Sequence, residues 1–430
     1  MQRPEGDFEA NFGRFSDAIK TTVQQEAWDK SVIHFENRDY QPAMEEFIHY
    51  IENNDRNNVV ARQDDSGFVI YQGSKSIRVQ IKNGQIAAQC QVAETNQMHI
   101  GFMRRLLDLN YELKYVRYGL SDDNIITVLF ETSLEDASPY KLYFGLKELA
   151  IHADKQDDLL VHEFNFLKPI HSGKISKPSK EEANHKLHFL RSNIQESIDL
   201  IENGKLKIEQ YPAAGGYILL ALLYKIDYLV RPEGKLMDKM EQMHKSYFGQ
   251  SQKNVLMRLK NLKEELISLG ELPEEMIKAN LYQSVFTFGF TSPANTSAAF
   301  EVIDKELRNI QWYLDNQFDE YVTAIVEYIG GLSLFNFALP EVMKELYTVI
   351  YRITENDFFL KVKSLETLVD HQHRPDKTAI RNELNRIERK YKPDYPELDI
   401  DIKSLQYDQV SLFLYSYILM IRQLQFQKGK

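Results

Sequence analysis

Residues 77–92 constrain this chain more than any other stretch. Ile77, Val79 and Ile81 alternate with polar residues, Asn83-Gly84 follows, and Ile86, Ala88, Cys90 and Val92 alternate again. Asn and Gly both tolerate positive φ, which makes Asn-Gly the favoured two-residue type I′ loop between antiparallel strands. With that loop, Ile81 faces Ile86, Val79 faces Ala88 and Ile77 faces Cys90, so every apolar side chain falls on one side. A slip of one residue would put the two apolar sets on opposite faces. The fold is therefore expected to grow from a half-buried antiparallel hairpin.

The flanking residues extend that module. Ile100, Met103, Leu106 and Leu107 predict a helix over 98–109 that lies on the sheet with those four residues inward. A second hairpin follows, with strands over 111–120 and 125–132 around the polar turn Ser121-Asp122-Asp123-Asn124. Centring the turn there pairs Tyr115 with Phe130 and Val116 with Leu129, and sets Lys114 opposite Glu131. Ser138 then caps a helix that begins at Pro139 and turns Tyr143, Leu146, Ala150 and Ala153 inward. Upstream, Phe12, Phe15, Ile19, Val23 and Ala27 mark one amphipathic helix, and Tyr40, Ala43, Phe47, Ile48 and Ile51 mark a second. Residues 53–66, rich in Asn and Asp, read as a loop.

The order helix, hairpin, helix, hairpin, helix over about residues 38–165 resembles the YbjN family, whose fold is shared with type III secretion chaperones. The resemblance is carried by residues 102–111 (FMRRLLDLNY), 116–120 (VRYGL) with the acidic turn, 126–131 (ITVLFE) and 146–150 (LKELA). It implies a non-enzymatic adaptor or chaperone that often dimerises. By the same resemblance, Phe102, Met103 and Leu106 on the middle helix are the expected dimer contacts. The sheet face carrying Val116, Tyr118 and Leu129 is the expected site for an extended client segment, through edge-strand pairing.

From 168 to 180 the composition turns basic and structure-breaking, with Pro169, Gly173, Pro178 and four lysines. The expected organisation is an α+β module over 1–167, a linker over 168–180 and an irregular all-α domain over 181–430. Stripes such as Leu187, Leu190, Ile194, Ile198 and Ile201 recur through that last domain. Gly204, Gly330-Gly331 and Pro340 read as punctuation between its helices. No fixed period relates the stripes, so a regular solenoid is not indicated.

A net charge of −11 with no long basic tract argues against nucleic acid as a partner. Cys90 is the only cysteine, which excludes an internal disulfide and fits a reducing, cytoplasmic setting. The longest apolar runs, 217–224 and 410–421, fall short of a membrane span and read as core helices. No cofactor motif is present. Residues 214–217 (AAGG followed by Tyr rather than Lys-Ser/Thr) do not make a phosphate loop, and His162-Glu163 lacks the second His of a zinc-protease helix. Two Glu-x-x-His pairs, Glu182 with His185 and Glu241 with His244, have di-metal spacing. At about 100° per residue, however, they sit away from the apolar stripes of their helices, so solvated faces explain them better. His371-Gln372-His373 reads as a charged interhelical loop rather than a metal site. The expectation is a protein-binding adaptor that engages a partner or its own copy. The rivals are a structural subunit of a larger assembly, or a ligand- or metal-binding protein with its pocket in the helical domain.

Overall fold

The protein is described by a computed structural model, over residues 12–13, 20–53, 57–61, 67–95, 97, 99–121, 123–164, 166–172, 175–249, 254–284, 296–363 and 365–426. The chain divides into two compact units. One takes in Phe15–Lys177 with Tyr282–Thr291; the other takes in Met1–Arg14, Pro178–Leu281 and Ser292–Lys430.

The first unit is α+β. Helices α1 (Thr22–Glu36) and α2 (Tyr40–Ile51) pack as an antiparallel pair. Thr21 and Gln24 close a capping box on α1, and Ser31 Oγ donates to Ala43 O at 2.6 Å between the helices. Phe12 does not join this helix. It packs in the other unit against Tyr228 and Phe359, with ring centroids 6.1 and 4.8 Å apart. Phe15 and Ile19 lie outside the described residues. The strands are β1 (Val59–Ala61), β2 (Gly67–Gln72), β3 (Lys75–Lys82) and β4 (Gln85–Thr95). Helix α3 (Ile100–Glu112) follows, then β5 (Arg117–Leu120), β6 (Ile125–Ser133), α4 (Pro139–Glu163), β7 (Leu167–Pro169) and β8 (Ile175–Ser176). The antiparallel sheet runs β1-β2-β3-β4-β6-β5, with β7 pairing the end of β4. Strand β1 thus occupies a stretch expected to be loop, and β7 and β8 occupy parts of the expected linker.

The first hairpin forms as its turn chemistry dictates. Asn83 and Gly84 have φ of 52° and 72°, and Ile81 pairs with Ile86 and Val79 with Ala88. The second is shifted by one residue from expectation. Arg117 pairs with Leu129 and Tyr118 with Val128. The cause is the turn: Ser121 N–H donates to Ile125 O at 2.9 Å and Asn124 takes φ of 60°. Ser121 is thereby bonded to Ile125, with the left-handed Asn124 just before β6, where a symmetric four-residue turn over 121–124 was expected. Glu131 accordingly meets Arg117, at 2.5 Å, and not Lys114. Strand β5 is also short, because Tyr111 and Glu112 still belong to α3.

One face of the sheet is apolar and buried, carrying Phe68, Ile70, Ile77, Val79, Ile86, Ala88, Cys90, Ile126, Val128 and Phe130. Helix α4 lies along it through Leu142, Leu146, Leu149, Ala150 and Ala153. Ser138 Oγ caps α4 and Pro139 occupies its first turn, as the sequence indicates. The opposite face is mostly polar, with Arg78, Gln80, Gln89 and Glu131 exposed, the usual asymmetry of a one-sided antiparallel sheet.

The two-residue strand β9 (Gln283–Ser284), which pairs with β8, belongs to the first unit, and the described residues of the second unit are helical. Its helices are α5 (Lys180–Asn203), α6 (Pro212–Val230), α7 (Gly234–Gly249), α8 (Val255–Gly270), α9 (Glu274–Ala279) and α10 (Thr296–Asp315). Then come α11 (Asp319–Asn336), α12 (Glu341–Thr354), α13 (Asn356–Lys363), α14 (Lys377–Tyr391) and α15 (Val410–Gln423). Helices α6 and α11 pack against each other at the centre. Helix α6 is long and apolar enough by composition to cross a membrane, yet 89% of that stretch is buried in the core. A helix apolar on all sides needs such surroundings. Gly330-Gly331 does not break a helix; both lie inside α11. A Cβ at Gly331 would stand 2.6 Å from Tyr224 Cβ and 2.7 Å from Tyr351 Oη, so close approach to α6 and α12 requires the glycine.

Gly331→Ala should therefore cost about 2 kcal/mol or more through overpacking. Gly330→Ala, whose nearest contact would be Ile350 Cδ1 at 3.3 Å, should be neutral or slightly stabilising, because Ala is the better helix former. Chemical denaturation of the two variants reads the difference; equal effects would contradict this account of the helix contact.

Candidate protein-docking face

Helix α3 carries apolar side chains on two faces, and only one can meet the sheet. Its start is fixed by His99, whose Nδ1 accepts from Gly101 N–H at 3.2 Å. Phe102, Leu106 and Leu109 are buried. Phe102 is fully enclosed, with the Phe164 and Phe166 rings edge-on at 5.3 and 5.9 Å. On the other side, Ile100 is 86% exposed, Met103 38%, Leu107 67% and Tyr111 94%. The inward stripe expected from sequence was mostly this outward one. The pocket made by Phe164 and Phe166 decides the rotation, and those residues lie more than fifty positions downstream.

The residues anticipated as dimer contacts are thus divided. Phe102 and Leu106 are core, and Met103 alone faces out. The residues anticipated as a client face are divided too. Val116 and Tyr118 are 6% and 5% exposed. Tyr118 reaches into the interior, where its hydroxyl donates to His152 O at 3.3 Å. Leu129 points to the opposite, polar face, between Gln89 on β4 and Arg117 on β5. The one-residue register shift produces this separation, because it moves one strand's side chains across the sheet relative to the other.

The β5 edge is closed from within. Asn110 Oδ1 accepts from Tyr118 N–H at 2.6 Å, and Asn110 Nδ2 donates to Tyr118 O at 3.1 Å. One carboxamide therefore satisfies both groups that an added strand would need at that residue. Just before the strand, the Glu148 carboxylate on α4 accepts from the backbone N–H of Lys114, Tyr115 and Val116, at 2.7 Å for Tyr115. Covering an edge in this way guards against uncontrolled pairing, and it argues against client capture by strand addition here. Nothing in the alternation pattern marked Asn110 or Glu148, because their partners are backbone atoms. Tyr115 (41% exposed) and Phe144 (48%, one turn before Glu148 on α4) add further exposed apolar surface near the C-terminal end of α3.

Glu182 pairs with Lys186 at 3.0 Å and His185 with Glu181 at 3.8 Å, while His244 Nδ1 meets Tyr224 Oη at 2.8 Å, so the two Glu-x-x-His pairs do not converge. Asp370, beside His371 and His373, accepts from the N–H of Gln372 and Arg374 and closes a turn. Among the described residues, no group of three or more His, Cys, Asp or Glu is placed to hold a metal ion. One buried group of charges is structural in placement. Lys225 Nζ lies 2.9 Å from Glu327 and 2.5 Å from Glu355, linking α6 to α11 and to the start of α13. Burial raises the Glu355 carboxyl above its usual range, against the pull of Lys225 and with the help of Glu327 and Glu196. Compared with known proteins, the chain matches no family model, and no curated protein matches it either.

Two outcomes follow from these placements. Tyr118→Asp should cost about 3 kcal/mol or more and melt the module, because it strands a charge in the core. Leu129→Asp, on the polar face, should leave the melting temperature within a few degrees; equal melting of the two variants would contradict the assignment of faces. Glu355, with its folded pKa raised, favours the folded state most at pH below the ordinary carboxylate value. That contribution is lost as pH rises through the folded pKa. Glu355→Gln should therefore gain stability over the parent as pH rises from 4 toward neutrality, read as the difference between the two melting curves.

Proposed function

We propose that this protein is a non-enzymatic, protein-binding adaptor whose α+β unit docks a protein partner, or its own copy, on the outward face of α3. The observation that carries the reading is the stripe Ile100-Met103-Leu107-Tyr111, open to solvent on a helix whose opposite face is already core. Leaving four large apolar side chains in water forgoes roughly 1.5–3 kcal/mol for each that could be buried. Contiguous surface of this kind, edged with polar residues, is a mark of protein interfaces. Tyr is suited to such a place, since its ring can be buried while its hydroxyl stays solvated. The order of elements that resembles the secretion-chaperone fold is consistent with the same role.

The test is affinity capture with the tagged full-length chain, comparing the parent with the Met103→Asp/Leu107→Asp variant. The variant should keep its melting temperature, because both residues face solvent, and should lose a stoichiometric partner or self-association. Retention of every partner by a folded variant would remove α3 as the docking element. Phe102→Asp serves as the contrast and should unfold the module outright.

A further inference from the structure

We propose that the aromatic socket formed by Tyr228, Phe358 and Phe359 in the helical unit is a docking site for a protein segment that presents the dipeptide Phe-Gly. The chain's own Phe12-Gly13 holds the socket in cis, and a Phe-Gly segment of a partner takes it by competition. The inference concerns a different surface from α3 and does not depend on the reading of that helix.

The socket begins with a carbonyl that α6 cannot satisfy by itself. The helix ends at Val230, so Tyr228 lies in its last turn, where carbonyl groups lack partners within the helix. The residue four positions on, whose N–H would ordinarily reach Tyr228 O, is Pro232, and proline has no N–H. An outside donor is therefore required, and Gly13 N–H supplies it at 2.8 Å.

The aromatic walls are fixed by contacts that do not involve Phe12. The Tyr228 hydroxyl meets Thr348 Oγ1 at 2.6 Å, and its ring stacks on Tyr351 with centroids 5.6 Å apart. Phe358 packs on Phe189 at 4.4 Å and stands edge-on to Phe359 at 5.9 Å. Into this frame Phe12 places its ring 4.8 Å from Phe359, 6.1 Å from Tyr228 and 6.4 Å from Phe358, and stays only half-buried. A site whose walls are held in place without the ligand loses little entropy when it is filled.

The second residue of the motif is specified as sharply as the first. Gly13 is buried and has φ of 71°, a conformation that other residues rarely adopt. A Cβ there would stand 2.6 Å from the Tyr228 ring. The Phe ring fills the socket, the next N–H meets the waiting carbonyl, and only glycine lets the backbone come that close to Tyr228. One ring, one hydrogen bond and one glycine make a contact of the size that short peptide motifs use, so a second segment with the same dipeptide can replace the first.

The test is fluorescence anisotropy with a labelled, capped pentapeptide of residues 10–14 (Ala-Asn-Phe-Gly-Arg), titrated with full-length chain. The parent chain is compared with Phe12→Ala, which empties the socket, and with Gly13→Ala, which keeps the ring but cannot seat it. With a free-peptide Kd of about 0.1 mM and an effective cis concentration of about 1 mM, the parent should bind the peptide roughly tenfold more weakly than either variant. The pentapeptide carrying Phe12→Ala or Gly13→Ala should bind none of the three chains. Equal binding by parent and variants, at any strength, would overturn the proposal, as would a Gly13→Ala peptide that binds as well as the original. Circular dichroism and melting of each chain complete the test. Loss of folding in both Phe12→Ala and Gly13→Ala would make the segment part of the core and would overturn its role as a replaceable occupant.

Discussion

A sheet with one apolar face has to be covered, and in this protein that requirement organises the α+β unit. The alternation around Asn83-Gly84 puts Ile77, Val79, Ile86, Ala88 and Cys90 on the same side, and β6 adds Ile126, Val128 and Phe130. Helix α4 covers most of this surface through Leu142, Leu146, Leu149, Ala150 and Ala153. The short α3 adds Phe102, Leu106 and Leu109 to the same core, and α2 adds Met44, Phe47 and Ile51. Once α3 has spent one apolar face on the sheet and on Phe164 and Phe166, its second apolar face is left exposed among the described residues. The exposed stripe is a consequence of that geometry, since a single helix cannot turn both sides inward.

Buried polar groups complete the unit where apolar packing cannot. An irregularity in the β4–β6 ladder between Gln91 and Ala93 leaves the Val92 carbonyl free of β6. Lys75 Nζ donates to Val92 O at 3.0 Å and to Ile170 O at 2.6 Å. Asp154 on α4 accepts from Ser74 N–H at 2.8 Å and so ties the β2–β3 turn to the covering helix. Such groups need partners because an unpaired polar atom in a dry interior costs a large part of a domain's net stability. The helical unit follows the same rule on a larger scale. Lys225 between Glu327 and Glu355 joins α6 to α11, and Arg352 with Glu383 joins α12 to α14 at 2.5 Å.

The two candidate binding faces differ in kind, and the difference separates them. The open sheet face is polar, its Leu129 flanked by Gln89 and Arg117, and the β5 edge is occupied by Asn110 and, just before it, by Glu148. The outward face of α3 is apolar over nearly three turns. An extended client would find the β5 edge already hydrogen-bonded and little apolar surface beside it.

Sequence alone determined whatever depends on neighbours along the chain. The Asn83-Gly84 hairpin and its register followed from backbone preferences of two residues, the start of α4 from Ser138 and Pro139, and the stripe of α5 from a period of 3.6. The mixed class, an antiparallel sheet with helices and then a mostly helical region, followed from which period dominates each part of the chain. Tertiary structure decided whatever depends on distant partners. Helix α3 has apolar residues on both sides, so its periodicity admits two rotations, and only Phe164 and Phe166 choose between them. The second hairpin admits two turns, and the left-handed Asn124 sets the one that buries Val116 and Tyr118. Gly330-Gly331 reads locally as a helix end, yet Gly331 is there because Tyr224 and Tyr351 approach from other helices. The exposed stripe on α3 was legible as apolar residues but not as exposed ones, since burial is a property of what else packs nearby.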